Sequence, residues 1–407
     1  MRISIFVLSL FLICSIPSYA QVNQNELRFQ KVDHHVSKVA KQLIFHPQLL
    51  SQKLSEGLTN DYDKVRAFYV WIARNIDYDL IGYIHKTKGG QSINEVMRSG
   101  KAMCTGFSLL FNYFCEEANI KSVIIEGYAK GYGYKKNQKF DKPNHAWNAV
   151  KVYDRWYLLD VTWATGNPEN LSKHLKKIDI NTFFLTDPDV FIKTHLPEDP
   201  SWQLLSQKIS LREFELDQYN NNTEWHFNAY TADDYHGMDE NEVNLLKLKR
   251  AKEFNPKNPM NDPLLAFAYI YQGISITDDV WKMDYYDLLE SSSQLETTFL
   301  AYMDSAAMIT GSIDYHKIPY AKENMLDEIN YQKGVINYEL GVEFFSKARA
   351  INIPAYQISA EIEKYFKSAE LHFKQTPLTS IYSNDANEYL SYIAEYRNRK
   401  TNWNAID

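Results

Sequence analysis

Cysteine is scarce in this sequence, with three residues among 407, so a small disulfide-stapled scaffold is excluded. The formal net charge is −7 and no basic patch stands out, which argues against a nucleic-acid-binding protein. No glycine-rich phosphate loop occurs, and beyond the first twenty residues no apolar run is long enough to span a bilayer. What remains is a chain of ordinary apolar content, rich in Tyr and Phe, whose length predicts two domains or three.

The first twenty residues differ from the rest. Arg2 supplies a positive charge, "ISIFVLSLFLICSI" is an apolar run, and Ser18 and Ala20 are the small residues of a cleavage site. This pattern predicts a secretory signal peptide cut after Ala20, and hence a secreted or periplasmic protein with no membrane span after cleavage. An uncleaved anchor is the alternative, disfavoured because the run is short for a bilayer. Ile13 precedes Cys14 where lipid attachment needs a small residue, so a lipoprotein is rejected.

Signal cleavage leaves two cysteines, Cys104 and Cys115, in an oxidising compartment where paired cysteines normally form disulfides. If both lie on one helix, the rise of about 1.5 Å per residue separates them by about 16 Å. A disulfide needs Cα atoms within about 7 Å, so this pair cannot be bridged. An exported chain that keeps an unpaired thiol needs a reason for it.

The N-terminal half mixes helix and strand patterns, whereas the C-terminal half is helical almost to its end. "DYDKVRAFYVWIARNIDYD" and "CTGFSLLFNYFCEEAN" are amphipathic helices, "INEVMRSG" is a short helix closed by Gly100, and "KSVIIEGYAKG" has strand spacing. We therefore predict an α+β domain over residues 21–206, linker and closing loops over 207–240, and a helical domain over 241–407. The helical domain resembles a degenerate tetratricopeptide-type array, with a plain helical bundle as the equal alternative.

"HAWNAVKVYDRWYLLDVTW" alternates on both sides of Asp154–Arg155, which predicts a hairpin turning there. His145, Trp147 and Asp160 then share one face, opposite the predicted core face. A turn at Asp154–Arg155 would place Asp160 opposite Ala149, about 13 Å along the strand from His145. A bulge, a strong twist or another register is needed to close that gap.

Three residues in chain order carry a recognisable chemistry: Cys104, His145 and Asp160. A thiolate attacks carbonyl carbon well, and the start of a helix favours its negative charge. A nearby histidine can take the thiol proton, and a carboxylate can fix the tautomer of that histidine. Each residue taken alone also has a structural explanation: Cys104 as a small buried group, His145 as a structural or solvent-facing ring, and Asp160 as part of a buried turn or an ion pair. The ordered set favours catalysis, and Cys115, inside an apolar face, is assigned to packing.

The segments "GKAMCTGFSLLFNYFCEEANIKSVIIEGYAKG" and "NHAWNAVKVYDRWYLLDVTW" closely resemble the transglutaminase-like superfamily, over roughly residues 40 to 206. The closing "HLPEDPSWQLL" resembles bacterial exported members and the kyphoscoliosis-peptidase branch. The resemblance implies a papain-like fold in which Cys104 is the nucleophile, His145 the general base and then acid, and Asp160 the residue that orients His145. It also implies acyl transfer at amide bonds through a thioester.

Further site residues are less strongly indicated. The Cys104 backbone N–H is expected to be one oxyanion donor, with the Gln91 side chain as a candidate second donor or else a solvated loop residue. Trp147 and Trp163 are expected to wall the cleft, or else to be core. We expect no cofactor. We also expect no metal site, because the adjacent histidines of "DHHV" point apart on a helix or a strand.

Two functions from different classes follow. The first is an exported cysteine hydrolase or acyltransferase acting on a protein or peptide substrate, with the helical domain recruiting a protein or cell-envelope partner. The second is a noncatalytic binding module that holds a peptide in the cleft. The intact set of three residues favours the enzyme.

Overall fold

The computed structural model describes residues 18–85, 92–131, 133–165, 180–219, 238–313 and 322–403. Residues 1–17 of the predicted signal peptide, Gln91, and residues 220–237 of the predicted linker lie outside this part of the chain.

The N-terminal half is built from helices around a small sheet. Its helices are α1 Ser18–Ser37, α2 Pro47–Ser55, α3 Asp61–Asn75, α4 Leu80–His85, α5 Ile93–Ser99, α6 Cys104–Glu117, α7 Val161–Ala164, α8 Pro188–Phe191 and α9 Leu211–Glu215. Within the described residues, two short helical turns of 3-10 type cover Lys41–Phe45 and Pro200–Gln203.

Local sequence signals set the helix ends that lead to Cys104. Ser92 and Glu95 form a capping box that starts α5, and Gly100 ends it in the left-handed region at φ 65°. Strand β2, Lys101–Ala102, pairs in parallel with β1, Asp77–Tyr78, and the chain then turns into α6 at Cys104. The predicted end of α5 and start of α6 are confirmed.

In the part of the chain that the structure describes, four strands form an antiparallel sheet in the order β5–β4–β3–β6. They are β3 Ser122–Ala129, β4 His145–Val152, β5 Arg155–Leu159 and β6 His195–Pro197. The edge strand β6 comes from the segment predicted only as a closing one, and it brings a second histidine onto the sheet beside β3.

The hairpin between β4 and β5 turns one residue earlier than predicted. Tyr153 and Asp154 both have positive φ, at 51° and 58°, and Val152 pairs with Arg155. This is the geometry of a two-residue turn of the primed kind, whose twist matches that of the strands. The prediction of a turn at Asp154–Arg155 was wrong, and so was the pairing of Asp160 with Ala149.

Both faces of the sheet are buried, so the face presumed to be the core is only one of two. Val150, Val152 and Leu159 pack with α2, α3 and α6 in one apolar cluster. Trp147, Ala149 and Leu158 on the other face pack against the closing segment in a second cluster that includes Phe191 and Trp202. The closing segment therefore covers the face that carries His145 and Trp147.

The C-terminal region is helical throughout the described residues. Its helices are α10 Glu240–Phe254, α11 Asn261–Lys282, α12 Tyr285–Ser312, α13 Lys322–Ala350, α14 Ala355–Phe373 and α15 Ser383–Trp403. Helices α12 and α13 have 28 and 29 residues, each close to the roughly 34 residues of a whole two-helix tetratricopeptide repeat. These lengths favour the plain helical bundle. None of the described helices is both long enough and apolar enough to cross a membrane.

The predicted linker is partly folded onto the sheet. Helix α9 lies inside residues 207–240, its Phe214 is fully buried, and its Glu215 accepts the backbone N–H of Phe140 at 2.8 Å. Asn255, at the end of α10, donates its side-chain amide to the hydroxyl of Tyr128 on β3 at 2.9 Å. The helical region is thus hydrogen-bonded directly to a strand of the sheet.

Candidate active site

Cys104 is the first residue of α6, so its N–H is among those with no acceptor inside the helix. The residue before it, Met103, makes no side-chain cap hydrogen bond. The positive end of the helix dipole therefore acts on a partly buried thiol.

His145 is the first residue of β4 and lies opposite Gly127 of β3. Its Nε2 lies 2.8 Å from Oδ2 of Asp160, which leaves Nδ1 for the hydrogen bond that the ring makes with the Cys104 thiol. The observed register explains why these residues meet. Since Asn148 pairs with Leu159, Asp160 follows one step further, opposite Trp147 and only two residues from His145.

The alternation predicted that Asp160 continues the strand. Asp160 instead caps the short helix α7. Its Oδ1 accepts the backbone N–H groups of Thr162 at 2.7 Å and of Trp163 at 3.2 Å. Its Oδ2 accepts hydrogen bonds from Nε2 of His145 at 2.8 Å and from Nε2 of His195 at 3.1 Å. The carboxylate is fully buried, and four N–H donors replace the water that it has lost.

The charges of the three residues stabilise one another. Burial alone would lower the pKa of His145, but the Asp160 carboxylate and the hydrogen bonds to Asp160 and Cys104 raise it to about 10. Burial opposes ionisation of Asp160, yet His145 holds the pKa of this carboxyl well below its usual range. Burial also opposes ionisation of Cys104. The hydrogen bond and the charge of His145, together with a hydrogen bond from the Ala146 backbone N–H, outweigh that effect and lower the pKa of Cys104. The site thus favours a thiolate–imidazolium pair.

Cys115 has the opposite environment. Both cysteines are free thiols, but Cys115 is completely buried among apolar side chains, and that burial raises its pKa. The packing role predicted for Cys115 agrees with this placement.

The two tryptophans differ in exposure. Trp147 is fully buried, with its ring 6.0 Å from that of His145, so it belongs to the core beneath the histidine, which was the alternative to a cleft wall. Trp163 is partly exposed, and its ring lies 5.8 Å from His145. The candidate oxyanion residue Gln91 lies outside the described residues.

His195 is the site residue that sequence reasoning missed. It is fully buried, and its ligand atom forms with those of His145 and Asp160 a group close enough to hold a metal ion. Both Nε2 atoms, however, already lie at hydrogen-bond distance from the same carboxylate oxygen. The available signal was His195 itself, which stands between two turn-rich stretches, "TDPD" before it and "PEDP" after it.

A cysteine at a helix start, facing a histidine on a sheet strand that is bonded to a carboxylate, is the arrangement of the papain-like class. Residues 48–161 match the family model of the transglutaminase-like superfamily. The fold prediction is confirmed: a transglutaminase-like core of helices and a small antiparallel sheet is followed by a largely helical C-terminal region.

Two curated relatives and one solved structure illustrate the similarity. The kyphoscoliosis peptidase of Homo sapiens is 35% identical over 193 residues, which cover 47% of this chain and 29% of that protein. Hillarin of Drosophila melanogaster is 29% identical over 235 residues, or 53% of this chain and 28% of that protein. A solved structure described as that of a TGase is 21% identical with a TM-score of 0.23, over 40% of this chain and 43% of that chain. The chain spans less than a third of the length of either curated relative.

Proposed function

We propose that this chain is a cysteine enzyme that transfers or hydrolyses acyl groups at peptide amide bonds. The observation that carries the proposal is the hydrogen-bonded series in which Cys104, His145 and Asp160 follow one another, with 2.8 Å between His145 Nε2 and Asp160 Oδ2. A buried carboxylate that orients a histidine next to a thiol is the requirement for a Cys–His nucleophile.

In the proposed first half-reaction, the Cys104 thiolate attacks the carbonyl carbon of the substrate amide. The resulting oxyanion accepts the Cys104 backbone N–H at the start of α6. His145 then gives its Nδ1 proton to the departing nitrogen, the C–N bond breaks, and an amine or ammonia leaves a thioester on Cys104.

In the second half-reaction, His145 takes a proton from water or from an acceptor amine as that group attacks the thioester carbonyl. The C–S bond breaks and the thiolate returns, now facing a protonated His145. Asp160 stays ionised throughout, because its four N–H donors stabilise the charged form. Water as acceptor gives a hydrolase and an amine gives a crosslinking enzyme. The name of the human relative, a peptidase, favours hydrolysis.

The reactivity of the two thiols tests the enzyme proposal. Iodoacetamide at pH 6 is expected to label Cys104 at least about 100-fold faster than Cys115, since an ordinary thiol is almost wholly protonated at that pH. Cys115→Ala should label like the wild type, and Cys104→Ala should not label until it unfolds. Equal, slow labelling of both cysteines in the folded protein would contradict the proposal.

A trapping experiment then identifies the reaction. Incubation with a library of activated peptide esters and amides should leave an acyl adduct on Cys104, identified by intact mass and absent from Cys104→Ala. Hydroxylamine should remove the adduct if it is a thioester. If Cys104→Ala retains every measurable activity and every bound partner of the wild type, the noncatalytic binding module is the correct function.

We also propose that the chain is exported, as a member of a bacterial exported branch, and that the helical region recruits a protein or cell-envelope partner. The apolar run before Ser18 and the Ser-x-Ala ending support export. Expression of the full chain in a bacterial host should give a periplasmic or secreted product that begins at Gln21. A product that retains residues 1–20 in the cytoplasm would refute this.

A further inference from the structure

A second buried histidine shares the carboxylate of the proposed triad. Oδ2 of Asp160 lies 2.8 Å from Nε2 of His145 and 3.1 Å from Nε2 of His195. We propose that His195 is a positioning residue for the reaction: its uncharged ring donates Nε2–H to Asp160 and holds that carboxylate in place for His145. This inference rests on the proposed function.

The two histidines lie on β4 and β6, the two strands that flank β3. His145 of β4 lies opposite Gly127 of β3, and His195 of β6 lies opposite Ala129, two residues further along β3. Because residues two apart in a strand share a face, both imidazoles rise from the same face of the sheet. Their ring centroids are 5.6 Å apart, and Asp160 lies within hydrogen-bond reach of both.

Both ring nitrogens of His195 are used, and the partners define one tautomer. Nε2 faces an ionised carboxylate, which can only accept, so in the uncharged ring the hydrogen is on Nε2. Nδ1 therefore accepts, and the Thr194 hydroxyl, which lies 2.8 Å from Nδ1 and 3.3 Å from the Phe191 carbonyl oxygen, donates to the nearer of the two. A ring fixed at both ends cannot rotate away from Asp160.

The surroundings of His195 keep it uncharged. The side chain is fully buried, and its ring lies 4.2 Å from Phe191, 4.3 Å from Trp163 and 5.2 Å from Trp147. Burial outweighs the attraction of Asp160, and His145 repels a second charge, so the pKa of His195 is lowered to about 4. The titratable groups acting on His195 are Asp160 before α7 and His145 on β4, whereas the closing segment contributes the rings of Phe183 and Phe191.

An uncharged second donor suits a triad better than a second cation. His145 alone carries the positive charge that stabilises the thiolate, because His195 neither competes for the proton nor neutralises Asp160. During turnover His145 gains and loses a proton at Nδ1, while the bond from His195 to Asp160 stays unchanged. The carboxylate is thus held at Oδ1 by two backbone N–H groups and at Oδ2 by His195.

Substitution of His195 tests this role through the thiol, without any substrate. His195→Phe keeps an aromatic ring but removes the donor. Iodoacetamide labelling of Cys104, measured from pH 5 to 9, should slow by about 10-fold or more at pH 6, since a hydrogen bond to a charged group is lost. The acidic limb of the profile should move to higher pH by about one unit, because a poorly oriented His145 supports the thiolate less.

His195→Gln offers a side-chain N–H near the position of Nε2 and should recover most of the loss. Thr194→Val removes the hydroxyl that fixes the tautomer and should shift the limb in the same direction, by less. Phe191→Leu is the packing control: it removes a ring stacked on His195 and should lower stability without moving the limb. A limb that stays in place in both His195→Phe and Thr194→Val, when each is folded by circular dichroism, overturns the proposal.

Two further outcomes distinguish this inference from the proposed function and from a metal site. If no acyl adduct forms on wild-type Cys104 but the limb still shifts in His195→Phe, the proposed function fails and the positioning role stands. If wild-type labelling is abolished by EDTA and restored by Zn²⁺, then His145, Asp160 and His195 hold a metal and the proposal is wrong. We expect EDTA to have no effect.

Discussion

Asn148 donates its side-chain amide to the backbone carbonyl of Ser108 at 3.1 Å. Asn148 lies three residues after His145 on β4, and Ser108 lies four residues after Cys104 on α6. One buried hydrogen bond therefore joins the strand that carries the proposed base to the helix that carries the proposed nucleophile. This gives the asparagine of "HAWN" a structural role.

Asn148→Leu is expected to lower the free energy of unfolding by about 1–3 kcal/mol, because the buried Ser108 carbonyl loses its side-chain donor. Labelling of Cys104 should slow as the helix and the strand lose this link. Urea unfolding and iodoacetamide kinetics measure the two effects. Asn244→Leu, at an exposed asparagine within α10, is the control and should change stability by less than about 0.5 kcal/mol. Equal effects of the two substitutions would show that the link is unimportant.

The pKa of His195 predicts a loss of stability in mild acid. A histidine whose pKa is about 4 when folded and about 6.5 when unfolded stabilises fully above pH 6.5 and loses that contribution as the pH falls toward 4. The expected loss is about 3 kcal/mol. His145 acts in the opposite direction: with a folded pKa of about 10, its contribution is complete below pH 6.5 and is lost as the pH rises through 10.

Urea unfolding of the wild type and of His195→Phe, from pH 4 to 8, checks this. The difference between their free energies of unfolding should change by about 3 kcal/mol across that range, because other titrating groups contribute to both proteins. A difference that is independent of pH would mean that His195 is not buried uncharged.

Gly127 makes room for the two flanking strands at the site. A Cβ added there would lie 2.5 Å from the Trp147 ring and even closer to the carbonyl oxygen of Leu196. Gly127→Ala must therefore displace β6 or the Trp147 ring, and we expect a destabilisation of about 2 kcal/mol or more together with slower labelling of Cys104. Thermal unfolding measures the first effect.

Gly311→Ala is the control for that substitution. An added Cβ at Gly311 meets nothing within 4 Å, and the residue lies in α12, where alanine stabilises by up to about 1 kcal/mol. If Gly127→Ala unfolds at the wild-type temperature, the strands at the site are less tightly packed than the structure describes.

Helix α1 is joined to α3 by an ion pair whose arginine is buried and whose aspartate is partly exposed. Arg66 is 1% exposed, and its guanidinium donates two hydrogen bonds to Asp33, at 2.9 and 3.1 Å. Asp33→Leu should cost about 3–5 kcal/mol, because it leaves a buried guanidinium without its carboxylate. Urea unfolding of the chain beginning at Gln21 measures this.

The double substitution Asp33→Leu with Arg66→Met should recover most of that loss, since an apolar pair replaces two charges. If the double variant is as unstable as Asp33→Leu alone, the cost comes from lost helix packing and not from the unpaired charge.

The elements around the proposed nucleophile could be predicted because their signals are local. Gly100 ends α5 through its positive φ, and α6 follows from the apolar spacing after Cys104. The hairpin register could not be predicted as easily. Tyr153–Asp154 forms a turn with two positive φ values without the Asn-Gly or Asp-Gly pair that usually marks one, and a shift of one turn residue moves Asp160 by two pairing positions.

The sequence by itself determined the helix–strand order, the residue types at Cys104, His145 and Asp160, and the impossibility of joining Cys104 to Cys115. These follow from periodicity, capping and helix rise, which act over a few residues. Only the tertiary structure decided that Asp160 lies two positions from His145, that Asn148 reaches Ser108, and that His195 joins the same carboxylate. The reason is that pairing β6 with β3 brings together residues far apart in the chain, and no local propensity specifies which edge a short strand will join.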